Sequence, residues 1–339
     1  MLNITMFSAA DSVKGQGVGS VYTELVRLLR TREADQITLK INKYGRCDIS
    51  HYHTVNFPYY LSTFMPGRGR KVGFVHFLPE TLEGSLKLPK IAKAVFYRYV
   101  IAFYKRMDQL VVVNPSFIPK LEAYGISKDK VTYIPNFVSA EEFHPADDQQ
   151  RQTLRKQYGY PDKFTILGSG QVQVRKGVFD FIELAKRHPE IQFIWTGGFS
   201  FGRITDGYEK LKQVVDNPPA NLSFPGIIDR DKLVDYYNMA DLFLLPSYNE
   251  LFPMSVLEAF STHTPVLLRD LDLYHAIIEG DYAAAKDVEE MDQIISNLSL
   301  NSDALLALEK KAEQGADYYS EERLAKIWLQ FYTEQAKRG

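Results

Sequence analysis

The sequence predicts an α/β protein of two Rossmann-like domains that face one interdomain cleft, and three observations point there. Short β-branched or apolar runs alternate with amphipathic helical stretches, as in parallel sheets joined by helices. The chain has 339 residues, room for two domains of ordinary size. The alternation breaks once, at "FVSAEEFHPADDQQRQ" (137–152), which is polar, proline-bearing and poor in apolar residues. The expected organisation is a first domain over 1–140, a linker over 141–158 and a second domain over 159–318. A terminal helix over 319–339 is free to pack back on the first domain.

In the first half, strands are expected at "NITMFSA", "QITLKI", "VNFPYY" (the weakest), "KVGFVHF", "QLVVVN" and "VTYIPN". In the second half they are expected at "FTILGSGQ", "QFIWTGG", "LSFPGI", "LFLLPS" and "PVLLRD", with no further strand before the last helix, "SEERLAKIWLQFYTEQ". "VYTELVRLLR", "VFDFIELAKRH" and "DKLVDYYNMA" read as amphipathic helices between them. No repeat and no low-complexity tract interrupts the pattern. Ligands of such sheets bind outside the carboxyl ends of the strands, so loops there are the places to look for chemistry.

Composition narrows the class. With 45% apolar and 24% charged residues the chain is neither disordered nor fibrous. The single cysteine, Cys47, excludes an intrachain disulfide and favours a reducing compartment. No apolar run reaches the ~20 residues a spanning helix needs, and "MLNITMFSAA" lacks a basic leader and reads as a first strand. The net charge of −2 hides an asymmetry: 19 Lys and Arg against 10 Asp and Glu up to residue 140, and 21 against 32 beyond it. The basic first half is expected to meet something anionic, a membrane surface or a nucleic acid. No recognised nucleic-acid module is present, so no nucleic-acid partner is expected.

Three stretches could carry chemistry. "KGQGVGSVYTELVRLL" sets Gly15, Gly17 and Gly19 between the first strand and a helix, where backbone can approach a phosphate; a turn with no ligand is the alternative. "GSGQVQVRKG" brings Arg175 and Lys176 to a strand-to-helix turn. Cations beside a helix N-terminus are unfavourable unless an anion compensates, which favours a phosphate site. In "PSYNELFPMSVLEAF", Pro253 suits a first helical turn, and the amides of Met254 and Ser255 are free to take a diphosphate. Glu250 precedes that helix and Glu258 lies inside it. Glu258 would repel the same phosphate, so it suits a neutral partner such as ribose hydroxyls; a solvated Glu250 and a Glu258 paired with a basic neighbour are the alternatives.

These stretches resemble the family-four retaining glycosyltransferases of the GT-B fold. The resemblance rests on Glu250 and Glu258 at E-x7-E spacing, on the loop from Gly170 to Gly177, on "FPGIIDRDKLVDYYNMADLFLLPSYNE" and on "IPNFVSAEEFHP". It spans nearly the whole chain and is most specific in the second half. It implies that Lys176 neutralises the donor diphosphate, that Glu258 holds the ribose, and that Glu250 contacts the transferred sugar. It also implies that Gly17 offers its N–H to the phosphate, that Gly226 and Ile227 flank the uracil, and that His76 stands near the reacting sugar. Gln171 occupies the place of an expected arginine, leaving Arg175 as the candidate second cation, and Pro253 stands where many members carry glycine. "KGQGVGS", "HFLPETLEGSLKLPK" and "GQVQVRKG" together are similar to the glucosyl-diacylglycerol glycosyltransferases of Gram-positive bacteria, which serve lipoteichoic acid anchor synthesis.

Residues 85–107, "SLKLPKIAKAVFYRYVIAFYKRM", carry six basic residues and no acid. On a helix, Ala92, Phe96, Tyr99 and Phe103 form one stripe, with Lys87, Arg98 and Lys105 opposite. Lys90, Lys93 and Arg106 add to the charge. Such a helix can lie on an anionic membrane, or its stripe can pack into the domain core. "YYLSTFMPGRGRK" repeats the aromatic and basic combination. The expectation is a UDP-sugar-dependent retaining hexosyltransferase moving glucose or galactose to monoglucosyl-diacylglycerol. It would be cytoplasmic, peripheral to the inner membrane face, and independent of metal, because "DRD" (229–231) and "DLD" (270–272) lack further ligands. A transferase with a polysaccharide or protein acceptor, a UDP-sugar epimerase and a nucleotide-sugar-binding scaffold are the alternatives.

Overall fold

A computed structural model describes residues 1–10, 17–79, 89–199, 202, 207–278 and 280–339, with Gly17 and Lys90 described by their backbone alone. The elements run β1 (Leu2–Phe7), α1 (Gly17–Thr31), β2 (Ile37–Ile41), β3 (Ile49–Tyr52), α2 (Phe57–Ser62), β4 (Arg70–Val75), α3 (Lys90–Lys105), β5 (Gln109–Val112), α4 (Phe117–Ala123) and β6 (Val131–Tyr133). They continue with α5 (Asp148–Gln157), β7 (Thr165–Ser169), α6 (Val178–Arg187), β8 (Gln192–Thr196), α7 (Tyr208–Asp216), β9 (Leu222–Gly226), α8 (Arg230–Met239), β10 (Leu242–Leu245) and α9 (Met254–Ser261). The chain ends with β11 (Val266–Arg269), α10 (Asp272–His275), β12 (Ala283–Ala285), α11 (Val288–Leu300), α12 (Ser302–Tyr318) and α13 (Glu321–Lys337). Two compact units result: one contains the described residues up to Phe137 together with Glu321–Gly339, the other Val138–Ser320.

In the first unit a six-stranded parallel sheet has the order β2-β1-β3-β4-β5-β6. The strand order reverses at β1, so the crevice beyond the carboxyl ends of β1 and β3 is the expected ligand position. β3 itself is a correction, because the weak strand expected at "VNFPYY" is helix α2. Pro58 lies in the first turn of α2, where its missing N–H costs nothing. The strand is instead "ISHY", buried throughout despite its polar look. His51 hides there because its Nδ1 meets the Tyr332 hydroxyl of α13 at 2.7 Å. α13 is held further by Arg27, whose Nη2 lies 3.0 Å from Glu321, and by Arg70, which donates to Gln335 at 3.1 Å.

In the second unit the order is β12-β11-β10-β7-β8-β9, again all parallel. The chain starts at β7, winds outward to β9, then returns to β10 on the other side, so the switch point lies between β7 and β10. Strands β7, β8, β10 and β11 are buried along their whole length, which explains why they read as continuous apolar runs. β12 overturns the expectation of no strand after "PVLLRD". Its three alanines give no β-branched signal, yet they pair with β11.

The stretch expected to be a linker carries α5, capped reciprocally by Asp147 and Gln150. Arg155 donates to the Met239 carbonyl at 2.8 Å and to Asp241 at 2.7 Å, while Arg151 reaches Asp241 at 2.8 Å. Charge pairing holds this apolar-poor helix against the end of α8, so it belongs to the second unit.

Candidate functional site

In the second unit, β7 ends at Ser169 and a 3-10 turn over Val174–Lys176 leads through Gly177 into α6. Across the switch point β10 ends at Leu245, and the loop 246–253 leads into α9. The two loops meet. Lys176 Nζ donates to Glu250 Oε1, both side chains being buried, with Glu250 8% exposed. The sequence offers each residue separately to a ligand; the fold brings them together as an ion pair. Burial alone would raise the Glu250 carboxyl, but the Lys176 ammonium, with Arg175 beyond it, holds it below the ordinary carboxylate range. Burial pushes the Lys176 amine down, with Glu250 opposing. At neutral pH Glu250 is therefore an acceptor and not a proton donor.

A ring of bonds fixes this pair. Tyr248 N donates to the Arg175 carbonyl at 2.8 Å, and Arg175 Nη1 donates to the Asn249 carbonyl at 3.2 Å. The Tyr248 hydroxyl donates to Asp180 at 2.6 Å. Arg269 donates to the same Asp180, to the Pro246 carbonyl at 3.2 Å and to the Lys286 carbonyl at 2.9 Å, and its guanidinium lies 4.2 Å from the Tyr248 ring centre. One buried arginine thus ties the ends of β10, β11 and β12 to α6. Gly177 completes the junction: at φ 70° a side chain there would place its Cβ 2.1 Å from the Pro246 carbonyl oxygen. Asp180, Tyr248 and Arg269 had no motif to mark them.

α9 opens beside this pair. Val256 N donates to the Pro253 carbonyl at 3.1 Å, which leaves the amides of Met254 and Ser255 as the leading donors of a helix N-terminus. Pro253 stands one position ahead of the helix. Glu258, in the second turn, is only 4% exposed. Its Oε2 accepts from the Tyr237 hydroxyl at 2.7 Å and its Oε1 faces Arg230 Nη1 at 3.3 Å. The alternative in which Glu258 pairs with a basic neighbour is thus realised, and Arg230 is itself held by Glu142 at 2.7 Å. Burial raises the Glu258 carboxyl, while Arg230 and Tyr237 oppose. Each oxygen still has lone-pair capacity for a hydroxyl. Gly226, at φ 85°, and the half-exposed Ile227 close β9, and Ile227 packs toward Gly198. Gln171 Oε1 accepts from Gln173 at 2.7 Å, and its neutral amide brings no charge to the loop.

In the first unit a cavity of about 340 Å³ opens at the switch point between β1 and β3. Ala9 and Ala10 line it from the end of β1, His53 and Thr54 from β3, His76 from β4, and Phe96 from α3. Gly17 begins α1 next to it, with Val18 on its wall. His76 Nε2 lies 3.3 Å from His53 Nδ1. Burial drives the His76 imidazole down to about 3 and the His53 imidazole well below its ordinary value, so both are neutral near pH 7. Gly15 lies outside the described residues.

α3 corrects the membrane expectation in part. Phe103 is 1% exposed and stacks edge-on to Tyr52 in the core, and Tyr99 donates to the Val55 carbonyl at 2.6 Å. Phe96 faces the cavity, and Ala92 is exposed. The aromatic stripe is therefore mostly a packing face. Arg106 is tied to the Thr63 carbonyl at 3.0 Å and stacks 4.1 Å over Phe64. Lys93 lies 5.4 Å from the Tyr97 ring, while Arg98 and Lys105 are exposed. Lys87 and the Lys90 side chain lie outside the described residues. Phe57, Leu61, Phe64 and Met65 on and after α2, the last three within the stretch "YYLSTFMPGRGRK", are exposed together with Ile91 and Val95 on α3. Among the described residues no helix is long and apolar enough to cross a membrane, and no three His, Cys, Asp or Glu side chains cluster as metal ligands.

Comparison with known proteins follows the same division. The family described as Glycosyltransferase Family 4 matches residues 15–142, and that described as Glycosyl transferases group 1 matches residues 150–315. The alpha-galactosylglucosyldiacylglycerol synthase of Streptococcus pneumoniae is 53% identical over 340 residues, covering 100% of this chain and 91% of that protein. The processive diacylglycerol alpha-glucosyltransferase of Acholeplasma laidlawii is 27% identical over 203 residues, covering 59% of each. Among solved structures, sucrose-phosphate synthase from Thermosynechococcus elongatus superposes with TM-score 0.81 at 16% identity over 100% of both chains. Anabaena Alr3699/HepE in complex with UDP-glucose gives 0.79 at 13% identity, covering 98% of this chain and 100% of that one.

Proposed function

The chain belongs to the family-four, group 1 glycosyltransferases, and from that premise we propose that it transfers galactose from UDP-galactose to glucosyl-diacylglycerol at a membrane surface. The family makes it a hexosyltransferase with the two-domain GT-B fold. The choice of galactose and of the glycolipid acceptor rests on the name of the 53% identical relative, and UDP-glucose is the competing donor. The observation that carries the chemistry is the Lys176–Glu250 pair beside the N-terminus of α9, at the switch point between β7 and β10.

The roles follow from the charges. The Met254 and Ser255 amides and Lys176 bind the donor diphosphate and stabilise the charge that grows on it as it leaves. Lys176 is shared between that phosphate and Glu250, so the ion pair sets where the ammonium stands before donor arrives. Glu250, ionised, accepts hydrogen bonds from the hydroxyls of the transferred sugar, and Glu258 accepts from the ribose while Tyr237 and Arg230 hold it in place. With amides and lysine at the diphosphate, no metal ion is needed. Retention of configuration and proton acceptance by the leaving phosphate are what the family resemblance implies.

The acceptor reading uses the first unit. The cavity at the β1–β3 switch point has apolar walls from Val18, Phe74, Phe77 and Phe96 and polar groups from Thr54, Asn56, His53 and His76, a suitable lining for a sugar on a lipid. The exposed Phe57, Leu61, Phe64, Met65, Ile91 and Val95 lie on or just after α2 and on α3, helices that pack together through Tyr60 and Tyr99, and α3 also carries the exposed Arg98 and Lys105. Apolar side chains with flanking cations suit an anionic bilayer, each surface cation adding about 1 kcal/mol. Co-sedimentation with liposomes tests this: binding that rises with anionic lipid and falls with salt is expected, and equal recovery with neutral and anionic vesicles contradicts it.

A further inference from the structure

His53 and His76 follow adjacent parallel strands, β3 and β4, on one face of the first sheet. Their rings meet edge to face, with centres 4.4 Å apart, and both touch Phe74, stacked on His76 at 4.3 Å and edge-on to His53 at 4.6 Å. Both line the cavity, and both are buried. A neutral imidazole has one N–H and one lone pair, so the 3.3 Å contact between His76 Nε2 and His53 Nδ1 holds one proton between two nitrogens. Two arrangements satisfy it. If His76 donates, His53 must carry its own proton on Nε2, which is buried without a partner. If His53 donates from Nδ1, the orphan atom is a lone pair, and buried N–H groups without acceptors are the rarer and costlier defect. The second arrangement wins. It forces the His76 proton onto Nδ1.

We propose that His53 is a positioning residue that locks His76 in its Nδ1–H tautomer, so that the nitrogen left to His76 for a ligand is a hydrogen-bond donor. The ligand atom it suits is an oxygen of the acceptor glycolipid's sugar, which rests on the reading of the cavity as the acceptor site. His76 then neither takes nor gives a proton in transfer; it orients a hydroxyl through its oxygen.

Selective 15N labelling of the histidines and long-range 1H–15N correlation spectra of the whole chain near pH 7.5 read the tautomer directly. His76 as Nδ1–H in the unaltered protein, turning to Nε2–H in His53→Phe and remaining Nδ1–H in His53→Asn, is the expected result. The asparagine amide stands where Nδ1 stood and donates in its place. Transfer should fall about 10- to 100-fold in His53→Phe, the range typical when a partner fixing a functional histidine is removed, with kcat changing more than the acceptor KM, and His53→Asn should restore most of it. His76 as Nε2–H in the unaltered protein overturns the proposal, and that measurement needs no variant to fold. A tautomer that turns over without loss of kcat also overturns the positioning role. If His76→Phe likewise keeps full turnover, it is the acceptor-site reading that fails, while the tautomer assignment stands.

Discussion

Lowering the pH should weaken the first unit steeply, and the size of the effect follows from its buried histidines. His51 and His76 sit far below the ordinary imidazole value of 6.5, at about 3, because burial opposes their charged form. The unfolded chain takes up protons on both as pH falls below 6.5, while the folded unit refuses them until about 3. The stability present above 6.5 is therefore lost progressively between 6.5 and 3. Each group costs about 1.4 kcal/mol per pH unit in that window. At pH 5 that is roughly 2 kcal/mol per histidine and about 4 kcal/mol for the pair, before His53 adds in the same direction. The chain has two tryptophans, Trp195 in the second unit and Trp328 on α13, whose ring lies 5.8 Å from His51. Trp195→Phe leaves Trp328 as the sole tryptophan, so selectively excited tryptophan fluorescence reports the first unit, and urea titrations from pH 7.5 to 5 give its stability. His51→Gln in that background should lower the slope against pH by about one proton, or ~1.4 kcal/mol per unit. A first unit whose stability is flat or rises between pH 6.5 and 5, or a slope unchanged by His51→Gln, would refute the reasoning.

Five further outcomes are expected. Glu250→Gln should cut turnover by about two orders of magnitude with only a modest loss of UDP affinity by calorimetry; unchanged turnover removes Glu250 from the sugar. The same change strands a buried ammonium at a cost of roughly 3–5 kcal/mol, visible as a lower melting temperature, and Lys176→Met with Glu250→Leu should recover most of that stability without activity. A double variant no more stable than the single contradicts the ion pair as a structural unit. Gly177→Ala should destabilise by roughly 1–3 kcal/mol more than Gly159→Ala, because both glycines have positive φ but only Gly177 presses on Pro246, and equal losses argue against that contact. Leu61→Ser with Phe64→Ser should reduce recovery on anionic liposomes while leaving UDP binding intact, and transfer should survive a chelator; abolition by chelation would demand a metal at the diphosphate.

The sheets were largely legible because parallel strands buried on both faces must be apolar throughout, and runs such as "LFLLPS" and "QFIWTGG" can be little else. β3 escaped because its Ser50 hydroxyl and the Nδ1 of His51 meet partners distant in the chain, Arg68 and Tyr332, and no local pattern records that. α5 looked like a linker for the same reason, since its anchors, Met239 and Asp241, lie more than eighty residues away. Of the proposed site, spacing singled out Lys176, Glu250 and Glu258 but not the pairing of the first two or the contacts of Tyr237 and Arg230 with the third. The α3 stripe marks the general limit. Periodicity says that a helix has an apolar face and not what covers it, so Phe103 went to the core, while the exposed apolar surface combines side chains on and after α2 with Ile91 and Val95 of α3.

The most direct test is product analysis: glucosyl-diacylglycerol in anionic liposomes, incubated with the protein and each of a panel of UDP-sugars. A diglycosyl-diacylglycerol with an α-linked outer galactose, formed from UDP-galactose with one UDP released per sugar transferred, is the expected result. Interconversion of UDP-sugars without acceptor, or no larger glycolipid from any donor in the panel, would contradict it.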